Sequence, residues 1–579
     1  MLKLFKQLKP YSKQLVFVIV LLFVQTMSQL YMPTLLSKIV DTGIINGDVN
    51  YILKIGGIMI GVALIGSACT IFASFISSRV SMGFGRDLRR KIFTKAETFS
   101  LSEIDQVGTA SLITRTTNDV NQVQQVVIMI LRMMITAPLT CIGGIIMAIS
   151  VDKDLSLILL VSMPIVILAI TVVGKKAMPL FKAMQVKLDN INRILRENLT
   201  GIRVIRAFNK QKFEKKRFNE ANDDFTNNAI KVNKTIALLM PLLMLILNLT
   251  AVSILWFGSK RIDSGAMEVG NLMAFIQYVM QIMFSLIMVS MLFIMIPRAS
   301  ASASRINEVL AIEPTIKDSE NPKNDSNKKG FVEFKNVSYF YPGAENAALN
   351  NISFETKPGE TTAIIGGTGS GKSTILNLLS RFYDTSDGEI LVDGINIKDM
   401  SQESLRSKIG FVPQKAVLFS GTIAENLRYG KENASMEELI HASKIAQSYD
   451  FILEKENGFD SIVEQGGKNF SGGQKQRLSI ARALVRKPEI YVFDDSFSAL
   501  DFKTDAKLRA ALKDETKESA VIIVAQRIST IMDADRILVL EDGNIVGMGT
   551  HTELLQNCAI YQEIASSQLS EEELANEHR

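Results

Sequence analysis

Six long apolar stretches fill the first half of the chain, at residues 15–37, 52–78, 126–150, 155–174, 236–258 and 270–296. Each is close to or above the roughly 20 residues a helix needs to cross a bilayer. "LVFVIVLLFV" and "LSLILLVSMPIVILAITVV" lack the polar face of a soluble amphipathic helix. A chain with this pattern folds in part inside lipid. Its 579 residues are too many for one core, so two or more domains are expected. Residues 1–310 read as an all-α six-helix transmembrane domain, 311–330 as a polar Pro- and Asn-rich linker, 331–566 as an α/β domain and 567–579 as an acidic tail without assigned chemistry. The first apolar run carries no small-residue cleavage site and more spans follow it, so it reads as a retained anchor.

Lysine and arginine set the orientation. "MLKLFKQLKPYSK", "RDLRRKIFTK" (86–95) and the segment from Lys175 to Lys234 are basic, whereas "DTGIINGD", "VDKD" and "KRIDSGAMEVG" carry few net positive charges. Both ends and the two long basic loops are therefore expected in the cytoplasm, with the membrane helices running on into those loops. The net charge of +5 comes from these flanks and not from a nucleic-acid-binding stripe. Cys69, Cys141 and Cys558 are too few and too scattered for a disulfide framework or zinc cluster. Inside the spans, Arg132, Gln277 and Gln281 are functional candidates; snorkelling of the arginine and helix–helix hydrogen bonding of the glutamines explain them equally well. Pro33, Pro138, Pro164, Pro241 and Pro297 are candidate kinks. Methionines clustered at 240–295 suit either an adaptable cavity or lipid-facing packing.

In the second half, "GGTGSGKST" follows the apolar run "TTAIIG" and precedes "ILNLLSRFY". Strand, glycine-rich loop, helix is the context of a P-loop, in which backbone N–H groups and the helix N-terminus cradle phosphates. The loop residues are Gly366, Gly367, Thr368, Gly369, Ser370, Gly371, Lys372, Ser373 and Thr374. Lys372 would reach the β- and γ-phosphates of ATP and Ser373 would ligate Mg²⁺. "IYVFD" reads as a buried strand ending in Asp494, placed to hold the metal, and Asp495 follows it. In "FSGGQKQRLSIARALV" a serine and two glycines open an amphipathic helix, a second anion site. With one phosphate cradle already present, a second makes most sense if it serves a nucleotide held by another chain.

P-loop, "SGGQ", apolar strand and double carboxylate, in that order, resemble the ATP-binding-cassette family. Fusion behind six membrane helices resembles its exporter branch. "LITRTTNDV" (112–120) and "ENLTGIRVIRAF" (197–208) look like the exporters' first and second cytoplasmic loops, whose short coupling helices touch the nucleotide domains. The resemblance implies that Tyr341 stacks on adenine, the alternative being a surface aromatic of a strand. It implies that Gln414 contacts Mg²⁺ and the attacking water, and that Ser471, Gly472, Gly473 and Gln474 cap the γ-phosphate of ATP in the opposite subunit. Asp501 would bridge the two sites.

Two positions depart from the family pattern. Asp495 stands where Glu is expected, about 1.5 Å shorter, and Gln526 stands where His is expected. Glutamine carries no charge and cannot exchange a proton as imidazole does. The expectation is a degenerate site that holds Mg-ATP and hydrolyses it slowly or not at all, with "SGGQ" lent intact to a partner. This is similar to the degenerate subunit of heterodimeric bacterial multidrug exporters, acting in the plasma membrane on small amphipathic drugs, lipids or hydrophobic peptides. A homodimer with two slow sites, an exporter-like importer and an ATP-binding sensor complex are the alternatives. No peptidase segment precedes the first span, which argues against a bacteriocin-processing transporter.

Overall fold

A computed structural model describes residues 2–323 and 328–569; linker residues 324–327 and tail residues 570–579 lie outside the described residues. The chain divides into two bodies, Met1–Glu97 with Thr109–Ile312, and Thr98–Gly108 with Glu313–Arg579. That division differs from the unbroken 1–310 segment read from the sequence.

In the first body the six apolar stretches form long helical segments, Lys3–Ile44, Val49–Glu97, Thr109–Val151, Leu157–Thr200, Gln211–Asp263 and Val269–Val289, the fourth starting two residues inside its stretch and the last continuing as one helix to Ala311. The second helix has 49 residues. At 1.5 Å per residue it is about 74 Å long, more than twice the ~30 Å hydrocarbon thickness. Proline accounts for one of the local irregularities. Pro138 lacks the N–H that would bond the Met134 carbonyl, and a widened turn, Ile130–Met134, ends there. Pro241 lies in the first turn of Leu239–Asp263, where a missing N–H costs nothing. Pro164 and Pro179 interrupt no helix boundary within Leu157–Thr200. The side chain of Pro297 lies outside the described residues.

Polar side chains tie the spans together. Arg132 Nη2 donates to the Ser74 carbonyl at 3.0 Å and to Ser78 Oγ at 2.9 Å. It is thus a helix–helix bond and not a snorkelling charge. Tyr278 shares a 2.6 Å bond with Thr34 and donates to the Leu30 carbonyl at 2.9 Å. Gln281 keeps its carbonyl oxygen buried without a partner among the described residues. Cys69, Cys141 and Cys558 are free.

Among the described residues the second body holds twelve strands: β1 Val332–Tyr339, β2 Leu349–Thr356, β3 Thr361–Gly366, β4 Asp387–Val392, β5 Ile395–Asn396, β6 Ile409–Val412, β7 Gly421–Thr422, β8 Ile462–Val463, β9 Ile490–Asp494, β10 Ala520–Val524, β11 Arg536–Glu541 and β12 Asn544–Gly549. A four-stranded antiparallel sheet runs β2-β1-β4-β5, and a six-stranded sheet runs β12-β11-β3-β10-β9-β6. In the latter β11, β3, β10, β9 and β6 are parallel. All five residues of β9 and of β10 are buried, as expected when both faces of a parallel sheet are covered. Alternation divides them between two cores. Tyr491, Phe493, Val521 and Ile523 enter one cluster; Ile490, Val492, Ile522 and Val524 enter the other.

The short helix Leu101–Val107 belongs to this body. Ser100 caps it with Glu103; Glu103 also accepts from Thr315 Oγ1 at 2.8 Å, and Tyr383 donates to Asp105 at 3.2 Å. Residues 112–120, read as part of the first loop, are helical and lie in Thr109–Val151 ahead of the apolar stretch 126–150. There Asp119 accepts from Ser302 Oγ and Arg305 Nε, both at 2.8 Å. In the second loop, Gly201 breaks the chain into the short helix Ile202–Ala207, inside the expected 197–208.

Candidate functional site

Parallel strands point their carboxyl ends the same way, and ligands of such sheets bind at those ends. Val524 of β10 pairs with Asp494 of β9 and with Ile364 of β3. The sheet thus delivers the loop after β3, the acids ending β9, Gln526 after β10 and Gln414 after β6 to one edge.

The loop after β3 needs glycine at two places for different reasons. A Cβ on Gly366 would lie 2.1 Å from the Leu540 carbonyl oxygen. Gly371 has φ +98° and caps the helix Lys372–Leu379. Lys372 Nζ donates to the carbonyls of Gly366 at 2.9 Å and Gly367 at 2.6 Å. Burial pulls its ammonium below the usual lysine range, opposed by the charges of Asp495 and Asp494. Burial also lifts the Asp494 carboxyl above its usual range, a hydrogen bond from Ser373 opposing this. A half-buried cation and a buried anion, each penalised by desolvation, favour a ligand that brings phosphate and metal together. Ser373 Oγ donates to Asp494 Oδ1 at 3.0 Å. Among the described residues no cluster of three or more His, Cys, Asp or Glu could hold a metal. One hydroxyl and one carboxylate suit Mg²⁺, which uses few protein ligands and completes its shell with phosphate and water.

Asp495 is the centre of a second constellation. Its backbone lies at φ +45°, a conformation aspartate tolerates better than most residues. Gln414 Nε2 donates to Asp495 Oδ2 at 3.2 Å and Gln526 Nε2 donates to the same oxygen at 2.8 Å. Two amides therefore converge on Oδ2, and Oδ1 accepts no hydrogen bond among the described residues. Three of the expected catalytic or metal-contacting positions thus meet in one cluster.

Tyr341 is half-buried, packs edge-on against Tyr339 and Tyr383, and reaches Thr374 Oγ1 at 3.1 Å. Its ring lies beside the P-loop helix, so it is more than a surface aromatic. Ser471 is the N-cap of the helix Gly472–Arg486; Gln474 N donates to its Oγ at 3.3 Å, and its own N–H goes to Gln474 Oε1. Ser471 and Gly472 are exposed and Gly473 is partly so. Asp501 is exposed and caps Phe502–Glu515 by accepting from Thr504 N at 3.0 Å, a local role its sequence reading did not include.

Two further glutamines were missed. Gln476 donates to the Pro413 carbonyl at 3.1 Å, joining the "SGGQ" helix to the residue before Gln414. Gln568 grips both sides of Gln526: its Nε2 donates to the Gln526 carbonyl and its Oε1 accepts from Ile528 N, each at 2.9 Å. It lies in the stretch read as a tail without chemistry, and nothing local in the sequence signals the contact. Gln568→Ala should lose two bonds of about 1 kcal/mol each. Hydrogen exchange at the Ile528 amide is expected to accelerate about tenfold or more.

Residues 15–287 match the family description "ABC transporter transmembrane region" and residues 349–498 match "ABC transporter". The chain is 43% identical over 567 residues to an uncharacterized ABC transporter ATP-binding protein of Mycobacterium tuberculosis, with 97% of each chain covered. It is 42% identical over 565 residues to the uncharacterized ABC transporter ATP-binding protein YfiB of Bacillus subtilis, with 98% of each covered. Among solved structures, a bacterial Atm1-family ABC exporter with ATP bound superposes with a TM-score of 0.80 at 26% identity, covering 97% of this chain and 99% of that one.

Proposed function

The chain belongs to the ABC transporter family, and from that premise we propose that it is the slow half of an asymmetric exporter. It is a multi-pass membrane protein of the exporter type, and its ATP-binding domain implies transport-coupled ATP hydrolysis. In the proposed reading the termini are cytoplasmic, following the basic loops. Lys372 and the N–H groups of the loop after β3 hold the phosphates of ATP, and Tyr341 meets the adenine. Ser373, Asp494 and Gln414 hold Mg²⁺, which supplies charge neutralisation along the phosphates.

The observation that carries the asymmetry is the double amide clamp on Asp495 Oδ2. A carboxylate that must take a proton from water works best when its acceptor oxygen is free and correctly placed. Here one of its two oxygens is engaged and the side chain is one methylene short, which supports a P-loop that holds ATP and cleaves it slowly. Ser471 and Gly472, exposed on a capped helix N-terminus, remain suited to the phosphates of a nucleotide in a homologous half-transporter that carries Glu and His at the corresponding places. Closure of the two nucleotide domains over ATP, transmitted through Leu101–Val107 and Ile202–Ala207, would turn the membrane cavity outward. Asp501 would bridge the sites. Amphipathic compounds are the proposed cargo.

Purified alone in lipid vesicles, the chain is expected to bind Mg-ATP and turn it over about a hundredfold slower than the assembled pair. Substantial turnover by the lone chain, abolished by Asp495→Asn, would overturn the asymmetric reading. ATP-driven accumulation of a fluorescent amphiphile in inverted vesicles is expected; ATP-driven movement in the opposite direction would overturn export.

A further inference from the structure

The first two membrane helices leave a groove between them that the nucleotide chemistry does not use. A cavity of ≈ 220 Å³ is lined by Gln25, Ser28 and Gln29 of one helix and by Gly66, Ser67 and Thr70 of the other. These positions bracket the centres of the apolar stretches 15–37 and 52–78, so the cavity stands near the middle of the bilayer. Gly66 is one of the lining residues: a Cβ there would come within 3.2 Å of Ser28 Cβ, a tight contact, so glycine suits the close approach of the two helices. Thr70 Oγ1 donates to its own helix, at the Gly66 carbonyl. The side chains of Gln25, Ser28, Gln29 and Ser67 make no hydrogen bond among the described residues.

Four unpaired amides and hydroxyls at mid-membrane depth are unfavourable against hydrocarbon, and polar groups there face water, a ligand or another helix. The chemistry of the lining narrows the ligand. The six apolar stretches contain no Asp or Glu, and their only charged residues are Lys54 and Arg132. The groove itself has no aromatic ring. A cation would find neither a counter-charge nor a ring face, whereas an amide or hydroxyl would find both donors and acceptors. The volume is that of about seven waters and falls below the roughly 300 Å³ of a whole ligand pocket. It suits one polar segment of a larger molecule.

We infer that this groove is the subsite for the uncharged, hydrogen-bonding part of the cargo, such as peptide amides or sugar hydroxyls, and that it discriminates against organic cations. The inference rests on the exporter reading only in supposing that cargo crosses through these helices.

The test uses the full complex in lipid nanodiscs, with Cys69, Cys141 and Cys558 replaced by serine. Gln29→Cys and Ser67→Cys are reacted with an anionic methanethiosulfonate without ATP, and Leu64→Cys on the exposed apolar face is the reference. Because thiolates form in water, the groove positions are expected to react about tenfold faster than the reference. N-octanoyl dipeptide amide is expected to slow that reaction about tenfold, and octyltrimethylammonium by less than about twofold. Ser28→Cys is the second reporter should Gln29→Cys fail to assemble. Reaction no faster than at Leu64→Cys overturns the inference. So does reaction in the lone chain but not in the complex, which would mean that a partner helix fills the groove. Equal protection by both probes, or by neither, also overturns it. Labelling without ATP is indifferent to transport direction, so a reversed flux would sink the exporter reading and leave this result standing.

Discussion

Asp495→Glu combined with Gln526→His is expected to raise ATP turnover behind Lys372 about a hundredfold, read as phosphate release in a single-turnover assay of the assembled pair with the partner's own P-loop lysine replaced. The longer side chain restores about 1.5 Å of reach, and a shortfall of about 1 Å at a reacting centre loses roughly a hundredfold. Gln526→His removes the closer of the two amide donors on Asp495 Oδ2, the bond at 2.8 Å. It also supplies an imidazole that can take and return a proton. Asp495→Glu alone should recover less, because Gln526 would still hold the carboxylate. The gain has a stability cost. Residue 495 sits at φ +45° with its N–H bonded to the Val524 carbonyl at 2.9 Å, and a glutamate in that conformation is less favourable by about 1 kcal/mol. The double variant should therefore melt a few degrees lower while working faster. Unchanged turnover in a folded double variant would show that these two residues are not what slows the site.

The parts of this site that were legible in the sequence are those written in local pattern. "TTAIIG" and "IYVFD" are continuous apolar runs, and they became β3 and β9 at the centre of a parallel sheet. Their ends place the P-loop and the acid pair. Convergence of Gln414, Asp495 and Gln526 was not visible as geometry, because it depends on β6, β9 and β10 being neighbours. The first short helix was misplaced for a related reason. Residues 112–120 are polar and look like a loop, yet Asp119 is satisfied by Ser302 and Arg305 more than 180 residues away. The better signal was the S-x-x-E capping box of Ser100 and Glu103. Gln25 and Gln29 were passed over among strong apolar neighbours; their i, i+4 spacing, which puts both on one helix face, was the available clue. Gln568 had none.

Gly472→Asp in this chain is expected to silence the assembled pair by a hundredfold or more, while ATP binding at Lys372 is retained. A carboxylate about 4 Å from a phosphate repels it by about 4 kcal/mol at an effective dielectric near 20, enough for about a thousandfold in rate. The fold itself should not object. A Cβ at Gly472 meets no atom within 4 Å, and an acid in the first turn of Gly472–Arg486 favours that helix by about 0.3–1 kcal/mol. Melting temperature should thus hold or rise slightly as activity collapses, which separates a poisoned site from a misfolded subunit. Ser471→Ala is a poorer probe, since losing the N-cap costs about 1 kcal/mol of stability along with any ligand contact. The reciprocal substitution tests the proposed asymmetry. On that reading the same change in the partner's SGGQ segment would touch only ATP held by this chain, where slow cleavage is proposed, so the complex should keep most of its turnover. Equal losses from both would mean two equivalent sites, and the division of labour between the subunits would have to be given up.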